Sequence, residues 1–101
     1  MRKETRATAI QPATRRRVYD RDKGRCVLCG AVDALQCAHF IPRSRGGLGR
    51  EKNLVMLCPR CHRLYDHTEK RKYIRSELRQ YLQSQYPDWD EEELIYRKYI
   101  E

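Results

Sequence analysis

Three stretches decide the fold: RCVLCG at residues 25–30, CAHFIPRSRGG at 37–47 and NLVMLCPRCH at 53–62. Together they hold all five cysteines of the chain and two of its three histidines. The pairs Cys26-x2-Cys29 and Cys58-x2-Cys61 are separated by 28 residues. Two intervening residues let the backbone fold back so that both thiolates of a pair reach one ion, and Gly30 and Pro59 suit such tight turns. Four thiolates on one tetrahedral ion make a closed structural zinc site, with no open position for chemistry. Vicinal redox pairs, an iron–sulfur cluster or buried free thiols are the other uses of the same spacing. Cys37 is the odd one. It lies two residues before His39 on the same strand face and reads as a small buried residue rather than a ligand.

Outward from these stretches, the pattern predicts one helix before them and three helical segments from His62 onward. Residues 1–12 are polar, end in Gln11-Pro12 and read as a flexible basic arm. Ala13 to Asp22 is helix-compatible and is closed by Gly24. Leu35 to Ile41 reads as a strand, broken by Pro42 and by a loop with Gly46, Gly47 and Gly49. Asn53 to Leu57 is a second short strand, and His62 opens a helical stretch. Beyond residue 68, Ile74, Leu78, Tyr81 and Leu82 form one apolar stripe at helical spacing, ended by Pro87. Asp90 with Glu93 three residues on, flanked by Trp89 and Leu94, announces a last helix through a capping box and hydrophobic staple. The expected organisation is a basic arm at 1–12, a zinc-stapled domain at 13–68 and a helical extension at 69–101 packing on the same domain.

A chain of 101 residues with 40% hydrophobic and 36% charged residues, a single Phe and a single Trp has a marginal core, so a metal staple is expected. No apolar run is long enough for a membrane span, and MRKETRATAI has no apolar signal region. A cytoplasmic protein is therefore expected, in which paired cysteines point to metal rather than disulfides. Net charge is +8, and the excess lies towards the front. Residues 1–25 hold nine Lys/Arg, from Arg2 to Arg25, against Glu4, Asp20 and Asp22. Such a stretch attracts a phosphate backbone or simply solvates a face.

The three histidines, His39, His62 and His67, all fall in or just after the segment that the cysteines fasten. The segment from Arg25 to His62 resembles the HNH family of endonucleases: His39 precedes an IPxSxGG loop, Asn53 opens an NLxxLC strand, and His62 follows the second CxxC directly. The resemblance implies an α+β fold, a small ββα-metal domain stapled by a four-cysteine zinc site and flanked by helices. It implies a bacterial or phage-infected cell as the setting, DNA as the partner, and phage packaging or restriction proteins as further partners.

Roles carry over position by position. His39 corresponds to the general base that takes a proton from the attacking water. Asn53 corresponds to the residue that holds the hairpin loop and orients that base, and His62 to a ligand of a catalytic divalent cation such as Mg²⁺, Mn²⁺ or Ni²⁺. A neutral imidazole can accept water's proton near pH 7, and an amide can orient it without competing for the proton. Many active members carry Asp or His immediately before the base, as a second metal ligand; here that position is Ala38. Asp66, at i+4 from His62 and so on the same helical face, is the substitute ligand, with His67 as the alternative. Arg43, Arg45 and Arg50 around the glycine loop are expected to contact DNA phosphate. The tyrosines at 65, 73, 81, 86, 96 and 99 read as packing residues, and the acidic run Asp88 to Glu93 as a face turned from DNA. The function implied is metal-dependent hydrolysis of DNA phosphodiester bonds. The alternative, favoured by Ala38, is a catalytically inactive zinc-stapled nucleic-acid-binding module of the same fold.

Overall fold

Leu54, Val55, Met56 and Leu57 are each fully buried, because the strand they form is covered on both faces. The computed structural model describes residues 3–97, so Arg2 and Tyr99 lie outside the described residues. The strand β2 (Leu54–Leu57) pairs antiparallel with β1 (Gln36–His39) in the register Gln36↔Leu57, Cys37↔Met56, Ala38↔Val55 and His39↔Leu54. On one face Val18 of α2 (Pro12–Arg21) packs with Leu54 and Met56. On the other, Ala38, Val55 and Leu57 join Tyr65 of α3 (Pro59–His67) and Leu78 and Leu82 of α4 (Arg71–Gln85) in one cluster. The protein is thus a small α+β domain built on a two-stranded sheet.

Local chemistry explains where these helices begin and end. Pro12 opens α2 at a position where its missing N–H has no intrahelical partner to lose. At the other end Lys23 and Gly24 adopt left-handed backbone angles, and the Gly24 N–H bonds the Tyr19 carbonyl at 3.0 Å. Ile74, Leu78, Tyr81 and Leu82 make the buried stripe of α4, as their spacing predicts. The helix α3 starts earlier than expected. Pro59 is its first residue and the Cys58 thiol caps it, accepting from the Cys61 N–H at 3.4 Å, so the second CxxC is itself the first helical turn.

A buried polar knot ties α2 to the sheet and to α4. The Asp22 carboxylate, fully enclosed, accepts from the Met56 N–H at 2.8 Å and from the Tyr81 hydroxyl, and pairs with Arg21 at 2.8 Å. Arg21 also donates to the Leu54 carbonyl at 2.6 Å and the Glu51 carbonyl at 2.9 Å. One member of the basic front of the chain is therefore spent inside the fold.

Two segments differ from the sequence reading. Within the expected flexible arm, Lys3–Thr8 forms a short helix, α1, with Thr8 buried and the Ala7 carbonyl accepting from the Gly49 N–H at 2.9 Å. A side chain at Gly49 would meet the Ala9 carbonyl oxygen at 2.0 Å, so glycine is what admits this docking. The expected last helix is a 3-10 turn, Glu91–Leu94, capped by Asp90, after which the chain runs extended. Here the Leu94 carbonyl accepts from the Leu48 N–H at 2.8 Å and the Tyr96 N–H donates to the Gly46 carbonyl at 2.7 Å, so the glycine loop satisfies the main-chain groups that a helix would have paired internally. Two acids of this run pair within the fold: Glu91 binds Arg75 at 2.6 Å and Arg79 at 2.9 Å, and Asp88 binds Lys52 at 2.9 Å. Tyr65 is buried and Tyr81 and Tyr86 pack on the core, but Tyr73 is 73% exposed and packs on nothing in it. No described helix is long and apolar enough to cross a membrane.

Candidate metal centre and catalytic cleft

The turn at Gly30, where φ is 82°, closes the first knuckle, and the Val27 N–H bonds the Met56 carbonyl at 3.0 Å, pinning that knuckle to β2. The second knuckle follows directly from β2. As a result one sulfur from each of Cys26, Cys29, Cys58 and Cys61 lies within 4.8 Å of all the others, with Cys29 and Cys58 at 3.6 Å. A tetrahedral zinc with Zn–S bonds of ~2.3 Å has sulfurs ~3.8 Å apart, so the cluster is already at zinc dimensions. Burial works to raise the Cys26 thiol, yet N–H groups of the two knuckles outweigh it and bring it down to about 7. Burial and the neighbouring sulfurs push Cys61 up instead. A divalent ion is what would let all four ionise together. Cys37 is outside the cluster. It packs against Val18, Leu54 and Met56, and burial pushes its thiol up to about 11.

His39 ends β1, half-buried. Its Nε2 lies 2.8 Å from the Thr8 carbonyl oxygen. A carbonyl only accepts, so the neutral ring carries its proton on Nε2 and keeps the Nδ1 lone pair free. Burial lowers its pKa below the ordinary 6.5; the Thr8 bond opposes this, and the charges of Arg43 and His62 add to it. The same Thr8 accepts from Arg43 Nε through its hydroxyl at 3.2 Å, so His39 and Arg43 meet on α1.

Asn53 is fully buried at the end of a 3-10 turn, Glu51–Asn53, rather than as the first residue of β2. Its Oδ1 accepts from the Ile41 N–H at 2.8 Å, and its Nδ2 donates to the carbonyls of Ile41 at 3.1 Å and Leu48 at 2.9 Å. Its own carbonyl accepts from the Phe40 N–H at 2.7 Å. One side chain thereby clips both ends of the loop that follows His39. Inside that loop a side chain at Gly47 would sit 1.6 Å from the Ile41 carbonyl oxygen, which leaves glycine as the only residue that fits.

On α3, His62 Nε2 stands 3.1 Å from Asp66 Oδ2, and His62 Nδ1 stands 2.6 Å from Gln36 Oε1. Adjacent ligands of an octahedral ion with bonds of ~2.1 Å are ~3.0 Å apart, so the His62–Asp66 spacing fits two such ligands. Ala38 is 1% exposed and faces the core, offering no donor. Asp66 and His67 open on a cleft of about 560 Å³ that Arg43, Arg45 and Arg71 also line. Arg50 is not brought there. It lines a separate cleft with Arg17, Glu51 and Lys52. Thr8, Gln36 and Arg71 were not singled out from the sequence: their contacts are isolated and tertiary, which leaves no periodic signal.

A two-stranded hairpin leading into a helix, with four clustered cysteines that could hold a metal ion, is a ββα arrangement. Residues 26–68 match the family model described as HNH endonuclease. The match runs from the first cysteine to the end of α3 and so takes in the hairpin, its loop and the His62–Asp66 pair. No curated protein matches the chain.

Proposed function

We propose that this protein is a DNA endonuclease that hydrolyses phosphodiester bonds with His39 as general base and one divalent cation held by His62 and Asp66. The observation that carries the reading is the His39–Thr8 bond. It leaves Nδ1 unprotonated and holds the ring still, and burial keeps the ring neutral at pH 7. His39 Nδ1 accepts a proton from a water whose oxygen attacks phosphorus; the bond to the 3′ oxygen breaks, and that oxygen takes a proton from a second water, leaving a 3′-hydroxyl and a 5′-phosphate. Asn53 keeps the loop after His39 from moving through its three side-chain bonds. His67, on the same cleft, is the alternative to Asp66. An Mg²⁺, Mn²⁺ or Ni²⁺ ion bound there would neutralise charge building on the scissile phosphate.

Arg43 and Arg45, with Arg71, offer guanidinium groups to the DNA backbone beside that pair, and Arg50 offers a further phosphate contact on the neighbouring surface. The net charge of +8 favours a polyanion as substrate. The organisation is one domain at 13–68 with α1 and the segment from residue 69 packed onto it, in the cytoplasm of a bacterial or phage-infected cell.

The second reading is a catalytically inactive nucleic-acid-binding module of the same fold. Ala38 favours it, since that position supplies no ligand. Supercoiled plasmid incubated with the zinc-loaded protein and Mg²⁺, Mn²⁺ or Ni²⁺ separates the two. The nuclease reading expects metal-dependent nicking that His39→Ala removes. DNA retardation on a gel without cleavage by any of the three metals would establish the binding module instead.

A further inference from the structure

We infer that Gln36 is a positioning residue that selects which nitrogen of His62 binds the catalytic cation; this rests on the reading of His62 and Asp66 as its ligands. The imidazole of His62 lies between two oxygens, Gln36 Oε1 at 2.6 Å from Nδ1 and Asp66 Oδ2 at 3.1 Å from Nε2. A neutral ring has one N–H and cannot donate to both. Once the Nδ1 proton goes to Gln36, Nε2 and the Asp66 carboxylate face each other as two electron-pair donors. Such a pair takes up a positive charge, and a divalent cation between Nε2 and the carboxylate supplies it while the ring stays neutral.

The placement comes from the fold. Gln36 is the first residue of β1 and shares a strand face with Ala38 two residues on, the face against which α3 packs. The side chain at 38 packs on α3 but carries no polar atom, while the longer one at 36 reaches His62 from the end of the strand. Gln36 is exposed, and the ring is its hydrogen-bond partner, so its removal leaves the core intact. A histidine ligand whose other ring nitrogen is bound to a fixed acceptor is held in one tautomer and one orientation, and loss of such an acceptor typically costs ~10–100-fold in metal affinity.

The test is Mn²⁺ titrated into the full chain with zinc already in its cysteines, followed by the electron paramagnetic resonance signal of free Mn²⁺. Thiolates retain zinc against this harder ion. His62→Ala should abolish binding. If it binds like wild type, the ligand reading itself fails. With His62 shown to matter, Gln36→Ala should weaken Mn²⁺ by ~10–100-fold, and Gln36→Glu, which keeps an acceptor oxygen, should restore it. Wild-type affinity in Gln36→Ala, or equal weakness in both variants, would overturn the role of Gln36 alone. In the Mg²⁺-saturated protein the long-range ¹H–¹⁵N spectrum of His62 should show its proton on Nδ1. A proton on Nε2 would overturn the inference as well.

Discussion

The four-cysteine cluster and the His62–Asp66 pair, proposed above as ligands of a second ion, differ in every respect that matters for holding a metal. Three of the four cysteines are buried, all four sulfurs are within 4.8 Å of one another, and the ligand set is complete with no place for a substrate atom. The His62–Asp66 pair has two donors, side chains 28% and 40% exposed, and its Asp66 opens on a cleft lined by arginines. Completeness suits a staple and incompleteness suits a reaction centre, because substrate oxygen and water must enter the coordination sphere. The difference teaches where perturbations should act: on folding at the first site and on chemistry at the second.

The largest effect should come from the cysteines. Removing the ion with a strong chelator, or replacing Cys61 with Ser, should abolish the cooperative thermal unfolding transition, since structural zinc supplies on the order of 10 kcal/mol to folds of this size. Circular dichroism melts would show it, and metal analysis of the purified protein should find about one zinc per chain. Next, His39→Ala should lower the cleavage rate by ~10²–10⁴-fold while leaving Mn²⁺ affinity unchanged, which separates base from ligand.

Asn53→Ala comes third. It strands the Ile41 N–H and two buried carbonyls, at a cost on the order of 3 kcal/mol in urea unfolding. Asp66→Ala should weaken Mn²⁺ by about tenfold or more and leave the melting temperature in place; unchanged affinity would transfer the role to His67. Smallest is Arg45→Ala, which should lower DNA affinity a few-fold and reduce the salt slope by about 1.

Features that depend on local spacing were open to sequence reasoning. The two CxxC pairs predict the sulfur cluster, and the i, i+4 relation of His62 and Asp66 puts both on one face of α3, because backbone geometry alone settles such neighbours. Contacts between remote segments were not open to it. Thr8 meets His39 across 31 residues, and Gln36 meets His62 across 26. The six residues of α1 are too few to show a helical period, so a docked helix reads as an arm. Likewise Asp90 does cap the turn, its side chain accepting from the Glu92 N–H, but the unpaired edge of the glycine loop offers Leu94 and Tyr96 better partners than another helical turn.

The pH dependence of cleavage at saturating metal tests the assignment of His39 most directly. The base must be neutral to accept a proton, and burial lowers its pKa by disfavouring the charged ring. The rate should therefore climb with pH through a single acid limb centred below 6.5 and level off above it. His39→Ala should lose both the rate and that limb. A wild-type profile without an acid limb, or the same limb surviving in His39→Ala, would contradict His39 as the base.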